Sequence, residues 1–166
     1  MPIENIQQPA IIQINDRLRL RAYQGDYQQA IVWYQDQEVY YNSENITDAS
    51  KIPDEKYVER MYMYLNRVSE LYFIEILENS KYRAIGDVAI KCQNPPIAIG
   101  TSEYRGKGIG KLVMLAMIER AKEIGFTQIM GSIVYEHNIV SQKLHESLGF
   151  KCVNRIGNEL FYDLVL

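Results

Sequence analysis

The residues with the clearest capacity for chemistry stand in one run, Tyr104-Arg105-Gly106-Lys107-Gly108-Ile109-Gly110-Lys111. A short apolar stretch that reads as a strand, Ile97 to Thr101, precedes it, and a long helical pattern from about Gly108 to Ile124 follows. Backbone N–H groups at a helix start lack an intrahelical acceptor and carry positive partial charge. Glycines there let an anion approach the backbone closely. Arg105, Lys107 and Lys111 add cations to a chain whose formal charge is −3. The chemistry these residues fit is the cradling of a pyrophosphate.

Two familiar phosphate loops do not match. The GxxxxGK[ST] loop fails because Leu112 follows Lys111 and no glycine stands five residues before Gly110. The dinucleotide fingerprint GxGxxG fails because Gly106, Gly108 and Gly110 are spaced GxGxG, with no acidic residue at a strand end some twenty residues on. On spacing alone, a basic turn at a helix start is the alternative.

The elements that must position this loop follow from periodicity. Ile11 to Ile14 and Arg17 to Arg21 read as two strands around Asn15-Asp16, the second half exposed. Asp26 is the expected N-cap of a first helix with Ala30, Ile31, Trp33 and Tyr34 as its stripe, and residues 41–53 read as a loop. A second helix runs from Asp54 to about Arg67. Leu71–Leu77 and Tyr82–Cys92 read as a hairpin, ended by Pro95-Pro96 because proline cannot donate to a ladder. The continuous run Leu112–Ile118 predicts a helix packed on more than one side. Gln128–Tyr135 is a strand, Asn138–Leu148 a helix, and Phe150–Ile156 with Leu160–Leu166 a closing pair. On the helix from Asn138, residues 138, 141, 142 and 145 share one face, and Val140, Leu144 and Leu148 are expected to face the core. The order ββααβββαβαββ is one α/β domain over residues 1–166.

Composition narrows the classes. The 166 residues are 47% hydrophobic and 23% charged, which excludes a disordered tail or coiled coil. The lack of a basic excess argues against nucleic acid as the main partner. Leu112–Ile118 is too short to span a bilayer, and MPIENIQQPA has neither the basic start nor the apolar core of a signal peptide, so no membrane partner is expected. Cys92 and Cys152 make no disulfide framework or zinc motif, which favours a reduced, cytoplasmic setting and no metal. Neither has a nearby histidine, so a covalent acyl-cysteine is not expected. The 13 tyrosines, many between Tyr23 and Tyr72, read as half-buried core or as the lining of an aromatic pocket or dimer face.

Arg105-x-x-Gly108-x-Gly110 also fits the pattern [RQ]-x-x-G-x-[GA], and here the chain resembles the GNAT superfamily of N-acetyltransferases. Asn138 through Phe150, ending Leu144-His145-Glu146-Ser147-Leu148-Gly149-Phe150, is similar to that family's N…LYEKLGF segment. The element order agrees along nearly the whole chain. Leu18-Arg19-Leu20-Arg21 with Asp26, Trp33, Asp36, Glu38 and Val39 resembles the branch of ribosomal-protein N-terminal, aminoglycoside and polyamine acetyltransferases.

The resemblance implies a single mixed, mostly antiparallel sheet of six or seven strands, flanked by about four helices, with two splayed parallel central strands. It implies direct transfer from acetyl-CoA, as cosubstrate, to a primary amine of a small molecule or a peptide N-terminus. Backbone groups of Ala98, Ile99 and Gly100 would meet the pantetheine arm and acetyl carbonyl. Arg105, Gly106, Lys107, Gly108, Ile109, Gly110 and Lys111 would hold the pyrophosphate, and Asn138 and Ser141 would face the CoA. His145 stands where the family often has a tyrosine that protonates the leaving thiolate, so it becomes the candidate acid, charged by nearby phosphates. Glu103 is the candidate base, with Glu38, Glu44 and Tyr135 as others. Gly100 and Ser102 depart from the Val and Pro of many relatives, and Gly100 signals a bulge. The loss of the tyrosine keeps open a noncatalytic CoA-binding or sensing module. A homodimer is expected from family habit. Acidic residues of the front helices, including Glu44, Asp54 and Glu59, could attract a cationic amine or simply be solvated.

Overall fold

The computed structural model describes residues 6–166, so the signal-peptide reading of Met1–Asn5 lies outside the described residues. Five strands form one antiparallel sheet in chain order: β1 (Ile11–Gln13), β2 (Leu18–Ala22), β3 (Glu70–Glu78), β4 (Lys81–Ile90) and β5 (Ile97–Ile99). A second, three-stranded sheet has the order β6 (Gln128–Tyr135), β8 (Glu159–Val165), β7 (Lys151–Ile156). The helices are α1 (Ile31–Tyr34), α2 (Gln37–Glu44), α3 (Glu55–Val68), α4 (Ile109–Ile124) and α5 (Ile139–Ser147). The fold is the mixed, mainly antiparallel α/β arrangement expected, but the sheet is divided in two.

The division has a local cause. Gln93 and Met130 form a parallel bridge, with Met130 N–H on Cys92 O and Asn94 N–H on Met130 O, each at 2.8 Å. Asn94 then takes a left-handed turn (φ 47°), and Pro95-Pro96 carry the chain away without an N–H to extend the pairing. Beyond this seam β5 and β6 are not paired. They are the splayed parallel strands that the resemblance implies.

Both faces of the larger sheet are covered, so β3 reads as a continuous apolar run rather than an alternating one. Tyr72 and Ile74 join the cluster under α4 with Val113, Met114 and Met117. Leu71 and Phe73 join Trp33, Val58 and Tyr62 on the other side. The α4 helix buries one broad face only: Leu112 and Leu115 stay 40% and 42% exposed, against the expectation of packing on more than one side.

The front of the chain also differs from its sequence reading. A 3-10 turn (Tyr27–Ala30) leads into α1, and a separate α2 follows. Asp26 caps neither; its carboxylate pairs with Arg21 at 2.8 Å. The cap is Asp36, which accepts from Glu38 N–H and Val39 N–H at 3.1 and 3.2 Å. Helix α2 thus extends to Glu44 through residues expected to be loop, and Asn45 ends it in a left-handed turn (φ 52°).

Candidate functional site

The seam opens into a cleft of about 320 Å³ between β5 and β6. Ile97 and Ala98 line it from β5, Ser132 to Tyr135 from β6, and Asn138, Ser141 and His145 from α5. Tyr34, Glu44, Tyr57 and Tyr64 supply the wall from the front helices, so part of the tyrosine excess does line a pocket. Tyr62 and Tyr72 are core instead.

Strand β5 sets the backbone polarity of this cleft. Ala89 N–H bonds to Pro96 O, and Ala98 is registered against Asp87. Antiparallel alternation therefore aims the polar groups of Ala98 at β4 and those of Ile97 and Ile99 away from it. Thr101 N–H, rather than Gly100, reaches Ile85 O, so the ladder slips by one residue at Gly100. A Cβ on Gly100 would lie 2.1 Å from the Trp33 side chain. The glycine is thus both a bulge and a close approach.

After a 3-10 turn (Ser102–Tyr104), Gly106 and Gly108 take φ of 69° and 79°, and α4 starts with no side-chain cap. A Cβ on either glycine would point into open space. The first N–H groups of α4, at Ile109, Gly110 and Lys111, are therefore available to an anion. Ile109 offers only its backbone, because its side chain is core. Gly110 packs against Leu144 of α5, 3.5 Å from where a Cβ would stand. Lys107 and Lys111 are exposed and make no ion pair among the described residues.

Arg105 is differently placed from the other two cations. Its guanidinium donates to Ile99 O (2.9 Å) and Gly100 O (2.7 Å) and pairs with Asp36 and Glu38, both at 3.0 Å. The side chain ties the loop to β5 and α2, so in this arrangement it faces no ligand. Glu38 is occupied by the same tie.

Asn138 is the N-cap of α5, its Oδ1 accepting from Ser141 N–H at 3.1 Å, and it also lines the cleft. Leu144 and Leu148 pack against the core as expected, but Val140 at the start of the stripe is 78% exposed. The buried side of α5 carries His145, which packs edge-on to Phe150 at 5.0 Å between centroids and beside Tyr162 at 5.5 Å. Its Nδ1 lies 2.8 Å from Ser141 O, a contact that fits a donated proton. Burial pulls the imidazole pKa below its ordinary value. His145 is thus a packed ring at the cleft wall whose burial disfavours the charged form expected of an acid.

Glu103 does not reach the cleft either. It is exposed and pairs with Arg83 at 2.9 Å. Glu44 does: it accepts from Tyr57 OH at 2.8 Å, and burial raises its carboxyl pKa. Tyr135 lines the same cleft and belongs to a stack in which His137 lies parallel to it and 3.9 Å from Tyr41.

Sequence reasoning missed Tyr57, Tyr34 and Lys91 as cleft residues and Asp87 beneath it. Asp87, wholly buried in β4, accepts from Tyr34 OH at 3.1 Å and from Tyr62 OH. Burial pushes its carboxyl up to about 6 despite both hydrogen bonds. A lone acidic residue inside the apolar run Ile85–Ile90 was the available signal.

Cys92 and Cys152 are free thiols outside the cleft lining. Among the described residues no three His, Cys, Asp or Glu stand together as metal ligands, and no helix is long and apolar enough to cross a membrane.

The family model for the acetyltransferase (GNAT) domain matches residues 17–151. The uncharacterized protein MJ1062 of Methanocaldococcus jannaschii is 33% identical over 118 residues, covering 67% of this chain and 24% of that protein. The chain thus spans about a quarter of that relative's length. A solved domain from Methanocaldococcus jannaschii superposes with a TM-score of 0.77 at 24% identity, covering 91% of this chain and all (100%) of that one. The microcin C7 self-immunity acetyltransferase MccE, solved with acetyl-CoA and AMP, superposes at 0.68 with 16% identity, covering 95% and 97%.

Proposed function

The chain belongs to the GNAT acetyltransferase family, and from that premise we propose that it transfers an acetyl group directly from acetyl-CoA to a primary amine of a small molecule or a peptide N-terminus. The observation that carries this reading is the uncapped start of α4, behind Gly106 and Gly108 and beside two unpaired lysines, at the end of a strand that borders the cleft. The N–H groups of Ile109, Gly110 and Lys111, with Lys107 and Lys111, would hold the pyrophosphate. The outward-facing groups of Ile97 and the N–H of Ile99, whose carbonyl is held by Arg105, would meet the pantetheine arm, and one of these N–H groups would steady the oxyanion. Arg105 acts as a strut that sets the loop against β5.

Attack requires a neutral amine. Glu44, with its raised pKa and Tyr57 contact, is the cleft carboxylate suited to accept the ammonium proton. The nitrogen then bonds to the thioester carbonyl carbon, the C–S bond breaks, and the nitrogen's remaining surplus proton passes through solvent to the departing thiolate, leaving the neutral amide and CoA thiol. Burial of His145 and the contact of its Nδ1 with Ser141 O argue against it as the acid.

Calorimetric titration with acetyl-CoA, paired with CoA release over an amine panel, tests the reading. Lys107→Glu/Lys111→Glu should weaken binding by about tenfold or more, the scale of lost charge-assisted contacts. A parent protein that does not bind acetyl-CoA would sink the proposal. The burial that disfavours a charged acid at His145 favours one second reading, a noncatalytic CoA-binding module, which predicts binding without turnover on any amine.

A further inference from the structure

Among the described residues the cleft lining contains one acidic side chain, Glu44, and one Lys or Arg, Lys91. They are not paired with each other: Glu44 is held by Tyr57, and Lys91 has no carboxylate within ion-pair distance among the described residues. The Lys91 ammonium instead stands 5.8 Å from the centre of the Tyr64 ring, half-buried. Burial lowers its pKa, with no opposing charge to restore it.

Lys91 directly follows β4, and Asn94 forms the seam, so both sit at the seam end of the cleft. Ser132, two residues beyond Met130, lines the same end. It is 3% exposed, and its Oγ has no hydrogen-bond partner among the described residues. Buried hydroxyls are nearly always paired, so an orphan in a cleft wall marks a place where a ligand atom belongs. Asn94 uses its Oδ1 to accept from Ile133 N–H, which leaves its amide N–H groups as donors. An ammonium, a hydroxyl and an amide at the seam end of the cleft form a donor set for an anion.

We infer that the acceptor is a primary amine bearing its own anionic group, a carboxylate or a phosphate, held by Lys91, Ser132 and Asn94 while its amine points toward Glu44. The inference rests on the acetyl-transfer reading and names the substrate class for that site. Of the front-helix acids that could draw a polycation, Glu44 lines the cleft, whereas Glu38, Asp48, Asp54, Glu55 and Glu59 are absent from its lining.

The test uses acceptors in matched pairs: glucosamine 6-phosphate with glucosamine, phosphoethanolamine with ethanolamine, and an α-amino acid with its amide. CoA release gives kcat/KM for each, and calorimetry gives acetyl-CoA affinity separately. At least one anionic member should exceed its neutral partner by about tenfold or more, the range of one desolvated charge contact. The pair that shows it identifies phosphate or carboxylate. Lys91→Met should bring that ratio close to one through KM, and Lys91→Arg should retain most of it. Preference for the neutral members, or a ratio unmoved by Lys91→Met, overturns the inference. So does a protein that binds acetyl-CoA but acetylates no anionic amine. Failure to bind acetyl-CoA overturns the acetyl-transfer reading itself.

Discussion

Asp87 and His145 show how a side chain's surroundings, rather than its type, decide its protonation. The folded carboxyl of Asp87 titrates near 6, above the unfolded value, so its stabilising contribution is complete below the unfolded pKa and is lost as pH rises through about 6. A shift of roughly two units corresponds to about 3 kcal/mol. Urea denaturation between pH 4 and 8 should therefore show the parent losing about 2–3 kcal/mol relative to Asp87→Asn, with equal slopes refuting the assignment. His145 has the opposite sign of effect. Its folded pKa is depressed, so its contribution is present above the unfolded value of about 6.5 and fades as pH falls below it. Since its ring fills space beside Phe150 and Tyr162, His145→Ala should cost about 2–4 kcal/mol of stability. The shape of the kcat–pH profile should survive the change; loss of an ionisation near neutrality would restore His145 as the acid.

At the scale of elements, the start of α4 and the strut beneath it form one device. Asp36 both caps α2 and pairs with Arg105, so the helix that carries Glu44 and the loop that precedes α4 share one anchor. Gly108 separates strain from ligand contact. Its φ of 79° penalises any side chain, yet an added Cβ meets nothing in the protein. Gly25 is equivalent in both respects, with φ of 91° and open surroundings, but lies in the front loop. Alanine at either site should cost about 1–2 kcal/mol. Only Gly108→Ala should also weaken acetyl-CoA binding, by about tenfold, because the methyl group occupies the line of approach to the α4 N–H groups. Equal affinities in the two variants would remove the loop from the site.

For the whole molecule, the seam is narrow but the core beneath it is shared. Leu20 and Ile74 of the first sheet lie in one apolar cluster with Ile129, Val134 and Tyr162 of the second, bridged by α4. The two sheets should therefore unfold in one transition, with far- and near-ultraviolet circular dichroism coinciding. Acetyl-CoA at one hundred times its Kd should stabilise that single transition by about 2.7 kcal/mol. Two separated transitions, with the ligand moving only one, would show that the seam divides the domain.

The local patterns already contain the elements, the glycine loop and the end of α4 at Gly125, because these depend on residues within a few positions of one another. The same holds for Asn138 as a cap, which needs only Ser141 N–H three residues on. What tertiary structure decided is where charges end up. Arg105 faces inward because Asp36 comes to it from a distant segment and meets it beside the nearby bulge at Gly100. Glu103 is drawn out to Arg83, while Glu44 enters the cleft because the helix that Asp36 caps runs on through residues 41–44, which were expected to be loop. Lys91 and Ser132 line one cleft only because the two sheets separate after a single bridge. Spacing along a chain reports on repeating local geometry, whereas burial and pairing arise from contacts between elements that sequence distance does not encode.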